Sequence, residues 1–215
     1  VLREENVSVT EQQIREAVNF FVGTYDQIPP MYSAKKVNGK KLYELARQGK
    51  EIERKPCTVQ IHSIHINEIE IPNLNLSVAC SKGTYIRTLC HDIGKKLGCG
   101  ACMTSLLRTK VGMFSLEQAF TLSQIEEKQA EGTLKSYIIP IEDVFLQYPA
   151  IIVKPEANRL LINGNRLEIR DLQEGAQPLE MVRVLDSNGQ FQALYGWDKE
   201  KNDFKPIKMF LRSGI

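Results

Sequence analysis

Leu74, Leu76, Val78 and Cys80 recur at the two-residue period of a strand with one buried face. Six residues later Ile86, Leu89, Ile93 and Leu97 recur at the period of an amphipathic helix, and Gly98 supplies its stop. The change of period is compressed into Ser81–Arg87 (SKGTYIR), and this constrains the chain more than any other feature. A strand must run straight into a helix through one sharp corner. Gly83 permits that corner, because it has no Cβ to forbid a left-handed backbone. Thr84 reads as the helix N-cap, which puts Tyr85 and Arg87 in the first turn, at the strand's end, where clefts commonly form. An arginine there opposes the helix dipole and wants a compensating anion. Asp92, the nearest acid, is five residues along the helix and points away, so the anion is a phosphate or a carboxylate from elsewhere. On spacing alone, a surface arginine and a packed tyrosine account for the segment equally well.

The neighbouring elements follow from the same rules. Thr10 and Gln13 have capping-box spacing, and Ile14, Ala17, Val18 and Phe21 continue a helix towards a stop at Gly23. Thr58–Ile69 is rich in β-branched residues and alternates around Val59 and Ile61; Pro72-Asn73 joins it to Leu74–Cys80 as an antiparallel pair. Between these lies QIPPMYSAKKVNGKKLYELARQGKEIERK, where Pro29-Pro30 forbids helix and Asn38-Gly39 signals a turn. Leu42, Leu45 and Ala46 suggest a short helix ended at Gly49, and almost no apolar face remains to bury the rest of this basic excursion. Beyond Phe114 the chain changes character. Ser123 with Glu126 reads as a second capping box, opening an acidic helix. After a boundary at Tyr148-Pro149, short strands (Ile151–Val153, Met181–Leu185, Phe191–Leu194, Met209–Leu211) alternate with turns at Asn163-Gly164 and Asn188-Gly189. The expected fold class is α+β: residues 1–148 carry a mixed or antiparallel sheet with flanking helices, and 149–215 form a small β-rich domain.

The net charge of +2 conceals an asymmetry. Residues 31–60 hold eight Lys/Arg against three Glu, and residues 81–112 hold six against one Asp, a net of +5 each, which leaves −8 for the remainder. Basic charge gathered into two segments of a mildly acidic chain points to a polyanion surface. No run suits a membrane span, and the N-terminus has no signal-peptide shape, so the expected compartment is the cytoplasm. The chain starts without methionine and reads as a fragment. Its five cysteines are expected to be reduced. Cys99-Gly-Ala-Cys102 lacks the second pair a zinc site needs and the strand context of a redox site, so no metal is expected and buried inert thiols are the better account. His62 and His65, three apart in a strand, should face opposite sides, and neither they nor His91 make a convincing general base.

Phe21-x-Gly23, Gln27–Lys35 (QIPPMYSAK), Gly39–Tyr43 (GKKLY), Ala46–Gly49 (ARQG), Cys80–Arg87, Asp92-Ile93-Gly94 and Leu97–Ala101 together resemble the TruB family of tRNA pseudouridine synthases. The likeness is strong over residues 20–115; residues 150–215 resemble the family's PUA-like C-terminal domain more weakly. That family isomerises the uridine at position 55 of the tRNA TΨC loop to pseudouridine without a cofactor. The resemblance implies that Tyr85 contacts the flipped base and assists loss of its C5 proton, that Arg87 pairs with the catalytic aspartate, and that Leu106 lines the base pocket. It makes residues 29–55 a clamp for the T-arm, with Tyr32, Lys35, Lys36, Lys40, Lys41, Arg47, Arg54 and Lys55 as RNA contacts, joined by Lys82 and Arg108. The partner it implies is tRNA, with no membrane and no obligate protein partner. Two departures stand out. The GHxGxLDPxAxG segment that carries the family's nucleophilic aspartate is absent, as is a second pocket tyrosine, as though about 90 residues were missing, so the chain is expected to be inactive by itself. Leu107 also stands where many relatives have an arginine before Arg108. The reading from a different class is a non-catalytic module that binds or folds RNA.

Overall fold

The computed structural model describes residues 6–37 and 39–210. Its contacts divide the chain into two compact units, Val1–Leu107 and Arg108–Ile215. The fold is α+β with mainly antiparallel sheets.

In the first unit, α1 (Glu11–Asn19) begins at the expected capping box: Thr10 Oγ1 accepts from the Gln13 amide, and the Gln13 side chain accepts from the Thr10 amide. The helix ends before Gly23, which instead starts β1 (Gly23–Gln27), a strand not expected from the sequence. Next come a miniature hairpin, β2 (Lys36–Val37) and β3 (Lys40–Lys41), and the short helix α2 (Leu42–Arg47). Of the Asn38-Gly39 turn, Asn38 lies outside the described residues; Gly39 has φ +81°, where glycine is the favoured residue. Long strand β4 (Cys57–Glu70) and β5 (Asn73–Cys80) pair antiparallel as expected, and β1 adds on the other side of β4 to give the order β1-β4-β5. Helix α3 (Ile86–Leu97) follows, closed by Gly98 at φ +79°. Ile14, Val18 and Phe21 from α1 and its end, Ile61 from β4, and Leu89 and Ile93 from α3 form one buried cluster, with the inner row Leu74, Leu76, Val78 and Cys80 packed against it. At about 1.5–3 kcal/mol for each large apolar side chain withdrawn from water, this cluster is what holds α3 on the sheet.

The two histidines correct the sequence reading. Register shifts fall between Ile61 and Ser63 and between Ile66 and Glu68. Each inserts one residue and changes the strand's parity, so Val59, Ile61, Ile64 and Ile66 share the inner face. His62 and His65 are therefore both exposed instead of lying on opposite faces.

The second unit opens with a small hairpin, β6 (Lys110–Val111) and β7 (Phe114–Ser115), and helix α4 (Leu122–Ala130). The cap of α4 is Thr121 with Gln124 rather than Ser123 with Glu126, because the Thr121 hydroxyl reaches the Gln124 amide two residues earlier than expected. A four-stranded sheet follows in the order β11-β10-β9-β8: β8 (Ala150–Ile152) is parallel to β9 (Met181–Leu185), while β10 (Phe191–Asp198) and β11 (Asp203–Met209) pair antiparallel; α5 (Asn158–Ile162) lies in the connection. Strand β11 starts six residues before the expected one, since Pro206 is tolerated on this edge strand opposite a bulge at Leu194/Tyr195; Leu211 lies outside the described residues. Strand β10 runs on to Asp198 because Ala193–Gly196 are buried on both faces, which erases the alternation. Arg166 forks onto Asp203 (Nε–Oδ2 2.6 Å) and reaches Asp198 (2.6 Å), fastening the chain before Leu167 to the β10–β11 turn.

Two substitutions probe these arrangements. A Cβ at Gly94 would stand 2.1 Å from the Ala101 amide nitrogen, where the loop after α3 crosses the helix. Gly94→Ala, which in an open helix would stabilise, should here cost about 1–3 kcal/mol in a urea melt, because backbone must shift to admit the methyl group. The Arg166 bonds hold the Asp203 and Asp198 carboxyls below the ordinary carboxylate range. Their stabilisation is complete above the unfolded-state value and is lost as pH falls through the lower folded values. Asp203→Asn should therefore lower Tm at neutral pH and leave a shallower acid limb in a Tm-against-pH series.

Candidate functional site

The strand–helix corner is built by side-chain-to-backbone bonds from three places. Ser81 extends the sheet by one residue: its amide donates to Gln60 O (2.8 Å), and its hydroxyl accepts from the Gln60 amide (3.0 Å). Gly83 turns the chain at φ +84°. Thr84 does not cap the helix. Its hydroxyl donates backwards to Ser81 O (2.9 Å), so the cap position falls on Tyr85 and α3 starts one residue later than expected. The Tyr85 peptide is instead gripped by Gln27, the last residue of β1. The Tyr85 amide donates to Gln27 Oε1 (2.7 Å), and Gln27 Nε2 donates to Tyr85 O (3.1 Å). Nε2 also donates to the Tyr25 hydroxyl, and Gln27 is 1% exposed. Burial pushes the Tyr25 hydroxyl up to about 12, so it stays neutral across the physiological range.

Gln27 escaped the sequence reading because β1 did. Its signal is present: Gly23, Tyr25 and Gln27 share a parity, and a polar residue on the inner row of a strand must find partners.

Tyr85 is half-buried at the corner and Arg87 is exposed, the second residue of α3. Among the described residues no carboxylate pairs with Arg87, in keeping with the orphan charge read from the sequence. Asp92 is half-buried on the same helix, and burial raises its carboxyl against the opposing charges of His91 and Lys95. Leu106 is 57% exposed in the irregular chain after α3. Arg108 is exposed and belongs to the second unit.

The basic excursion is better anchored than its composition suggested. Pro29, Ser33, Leu42 and Leu45 are buried. The Tyr43 amide donates to Ser33 O (3.1 Å) and the Leu42 amide to Lys35 O (2.9 Å), which folds the YSAK segment against α2. On this base Tyr32, Lys36, Lys40, Arg47 and Lys55 are exposed, as is Lys82 at the corner. Lys41 and Arg47 lie 5.5 and 5.3 Å from the centre of the Tyr43 ring. Two expected contacts are less available. Lys35 touches the Cys57 sulfur, and Arg54 is engaged by Glu51 (3.0 Å) and Pro29 O (3.4 Å). The thiols are not fully buried as expected: Cys57, Cys80, Cys90 and Cys99 are half-buried and Cys102 is exposed, and of these only Cys80 packs against the apolar cluster. Among the described residues no group of three or more His, Cys, Asp or Glu could hold a metal ion, and no helix is long and apolar enough to cross a membrane.

Residues 1–86 match the sequence model of the TruB family pseudouridylate synthase N-terminal domain, and residues 87–145 that of the tRNA pseudouridylate synthase B C-terminal domain. The tRNA pseudouridine synthase B of Lachnoclostridium phytofermentans is 48% identical over 206 residues, 90% of this chain and 67% of that protein. This chain belongs to the TruB family. The enzyme of the same name from Thermotoga maritima is 41% identical over 99% of the chain and 68% of its own length, and that of Alkaliphilus oremlandii is 50% identical over 78% of the chain and 55% of its own length. The chain thus spans between about half and two thirds of these TruB relatives. Among solved structures, a Cbf5-Nop10-Gar1 complex matches with a TM-score of 0.71 at 24% identity, covering 96% of this chain and 64% of the other. A structure of an H/ACA RNP bound to a substrate RNA containing 2'-deoxyuridine matches at 0.68 and 22%, covering 96% and 63%. These likenesses establish the pseudouridine synthase fold.

Proposed function

We propose that this chain grips the T-arm of tRNA and presents the target base for the conversion of uridine-55 to pseudouridine. The observation that carries the reading is the Tyr85–Arg87 corner, whose Tyr85 backbone is bonded to Gln27 at the root of an anchored basic excursion. Tyr32, Lys36, Lys40, Lys41, Arg47 and Lys55 meet the phosphates, with Lys82 at the corner, Lys35 and Arg54 at the root of the excursion, and Arg108 from the second unit. Phosphate contacts of this kind set affinity and register, while an unstacked base is read by stacking and edge contacts. Tyr85 and Leu106 receive the flipped uracil.

The reaction needs no cofactor. A carboxylate attacks the uridine and the glycosidic bond breaks; the uracil turns and rejoins the sugar through C5, the bond to the carboxylate breaks, N1 takes up a proton, and the C5 proton leaves with help from Tyr85. Arg87 is the cation that this carboxylate pairs with. The family's GHxGxLDPxAxG segment is not among these 215 residues, so they hold the base-receiving half of the site and do not turn over alone. Residues 1–148 serve as part of the catalytic domain and 149–215 as a PUA-like RNA-binding domain. The compartment is the cytoplasm, where tRNA is modified. The two basic segments also suit a second reading, a module that binds or refolds tRNA without chemistry.

Two measurements test the assignments. With tRNA carrying tritium at C5 of uridine, the 215-residue chain should release none; turnover would refute the assignment of the nucleophile. In gel shifts, changing Lys40 and Lys41 to Glu should weaken T-arm binding at least tenfold and flatten the salt dependence by about two in slope. Undiminished affinity would remove residues 29–55 from the clamp.

A further inference from the structure

We infer that Gln27 is a positioning residue for Tyr85, joining the root of the basic excursion to the corner so that RNA held by one is aligned with the other. The inference rests on the proposed reading of Tyr85 as the residue that meets the base.

Four observations carry it. Gln27 holds the Tyr85 peptide at two points, amide and carbonyl, which sets both its place and its rotation. A helix cap would take the amides of the first turn; Gln27 instead takes the one peptide that carries the functional side chain. It is 1% exposed, and both ends of its carboxamide are spent on Tyr85 and Tyr25, so the buried polar group is fully used at the corner. And it is followed at once by Ile28-Pro29-Pro30, whose fixed φ angles stiffen the link to the excursion. A carboxamide offers an acceptor and two donors at neutral pH without charge, so it serves both Tyr85 groups, and the Tyr25 hydroxyl takes the remaining donor.

The first test needs no RNA. In the 215-residue chain, Gln27→Leu should reduce hydrogen-exchange protection of the Tyr85 amide at least tenfold while Ile93, a helical turn beyond the bond from Leu89 to Tyr85 O, stays protected. Equal protection at Tyr85 overturns the inference. Gln27→Glu supplies a variant that decides even if Gln27→Leu fails to fold. Protonated, the carboxyl reproduces both bonds to Tyr85; ionised, it keeps the amide's bond and repels Tyr85 O. The carbonyl carbon shift of Tyr85 should match wild type at pH 5 and move away from it by pH 8; a Gln27→Glu shift as flat with pH as that of wild type overturns the inference. Around this pair Tyr25 and Cys90 are raised by burial, as is the Asp92 carboxyl, and a wild-type series over the same pH range subtracts their titration.

The second test uses a T-arm hairpin with 5-fluorouridine at the target position, observed by fluorine NMR. Wild type should displace the resonance. Gln27→Leu should bind within twofold yet leave the resonance near that of free RNA, and Gln27→Glu should restore the displacement at pH 5. A fully displaced resonance with Gln27→Leu overturns the positioning role. Failure of wild type to bind or displace the resonance defeats the proposed function, and the exchange result then decides the clasp on its own.

Discussion

The backbone of Tyr85 is held on both sides of its Cα by a carboxamide that lies 58 residues earlier in the chain. Three further features complete the corner. Ser81 is locked to β4, Gly83 reverses the backbone, and Thr84 ties the turn to itself. Without the Gln27 bonds the Tyr85 amide would lie at the edge of the core with no partner, a cost of about 1–3 kcal/mol. The apolar stripe of α3 then supplies the affinity for the sheet, while the clasp supplies the position.

The same economy appears in the basic excursion. Eight exposed or half-exposed cations on one short stretch repel each other, and their arrangement survives because a small buried set, Pro29, Ser33, Leu42 and Leu45, fixes the backbone below them. The second unit uses another device, an arginine bonded to two aspartates at the β10–β11 turn, beside the half-buried Trp197 and the buried Phe204. By contrast, no residue between 95 and 150 is buried among the described residues. Leu116, Phe120, Leu122, Ile125 and Ile138 are all exposed there, so local caps and turns organise this stretch in place of a core of its own.

Elements whose evidence is local were legible in advance. The Thr10–Gln13 cap, the α3 stripe with its glycine stop, the β4–β5 pair and the short α2 all depend on residues within a turn or two of each other. Strand β1 was not legible. Five residues beginning with Gly23 carry too little pattern, and only pairing with β4 makes them a strand. The α4 cap was misplaced because two plausible hydroxyls, Thr121 and Ser123, stand two residues apart, and hydrogen-bond geometry alone selects between them. The histidines were misassigned because a bulge is invisible to a parity count.

Sequence by itself determined that a strand must turn into a helix at Ser81–Arg87, that basic charge must gather in two segments, and that Arg87 has no acid of its own nearby. These are properties of period and composition, which short-range sterics and charge enforce. Tertiary structure alone decided what fastens the corner. A buried glutamine finds its partners through space, and no spacing rule links residue 27 to residue 85. The same holds for which lysines remain available, since Lys35 and Arg54 are taken up by Cys57, Glu51 and Pro29, contacts that exist only once the excursion has folded.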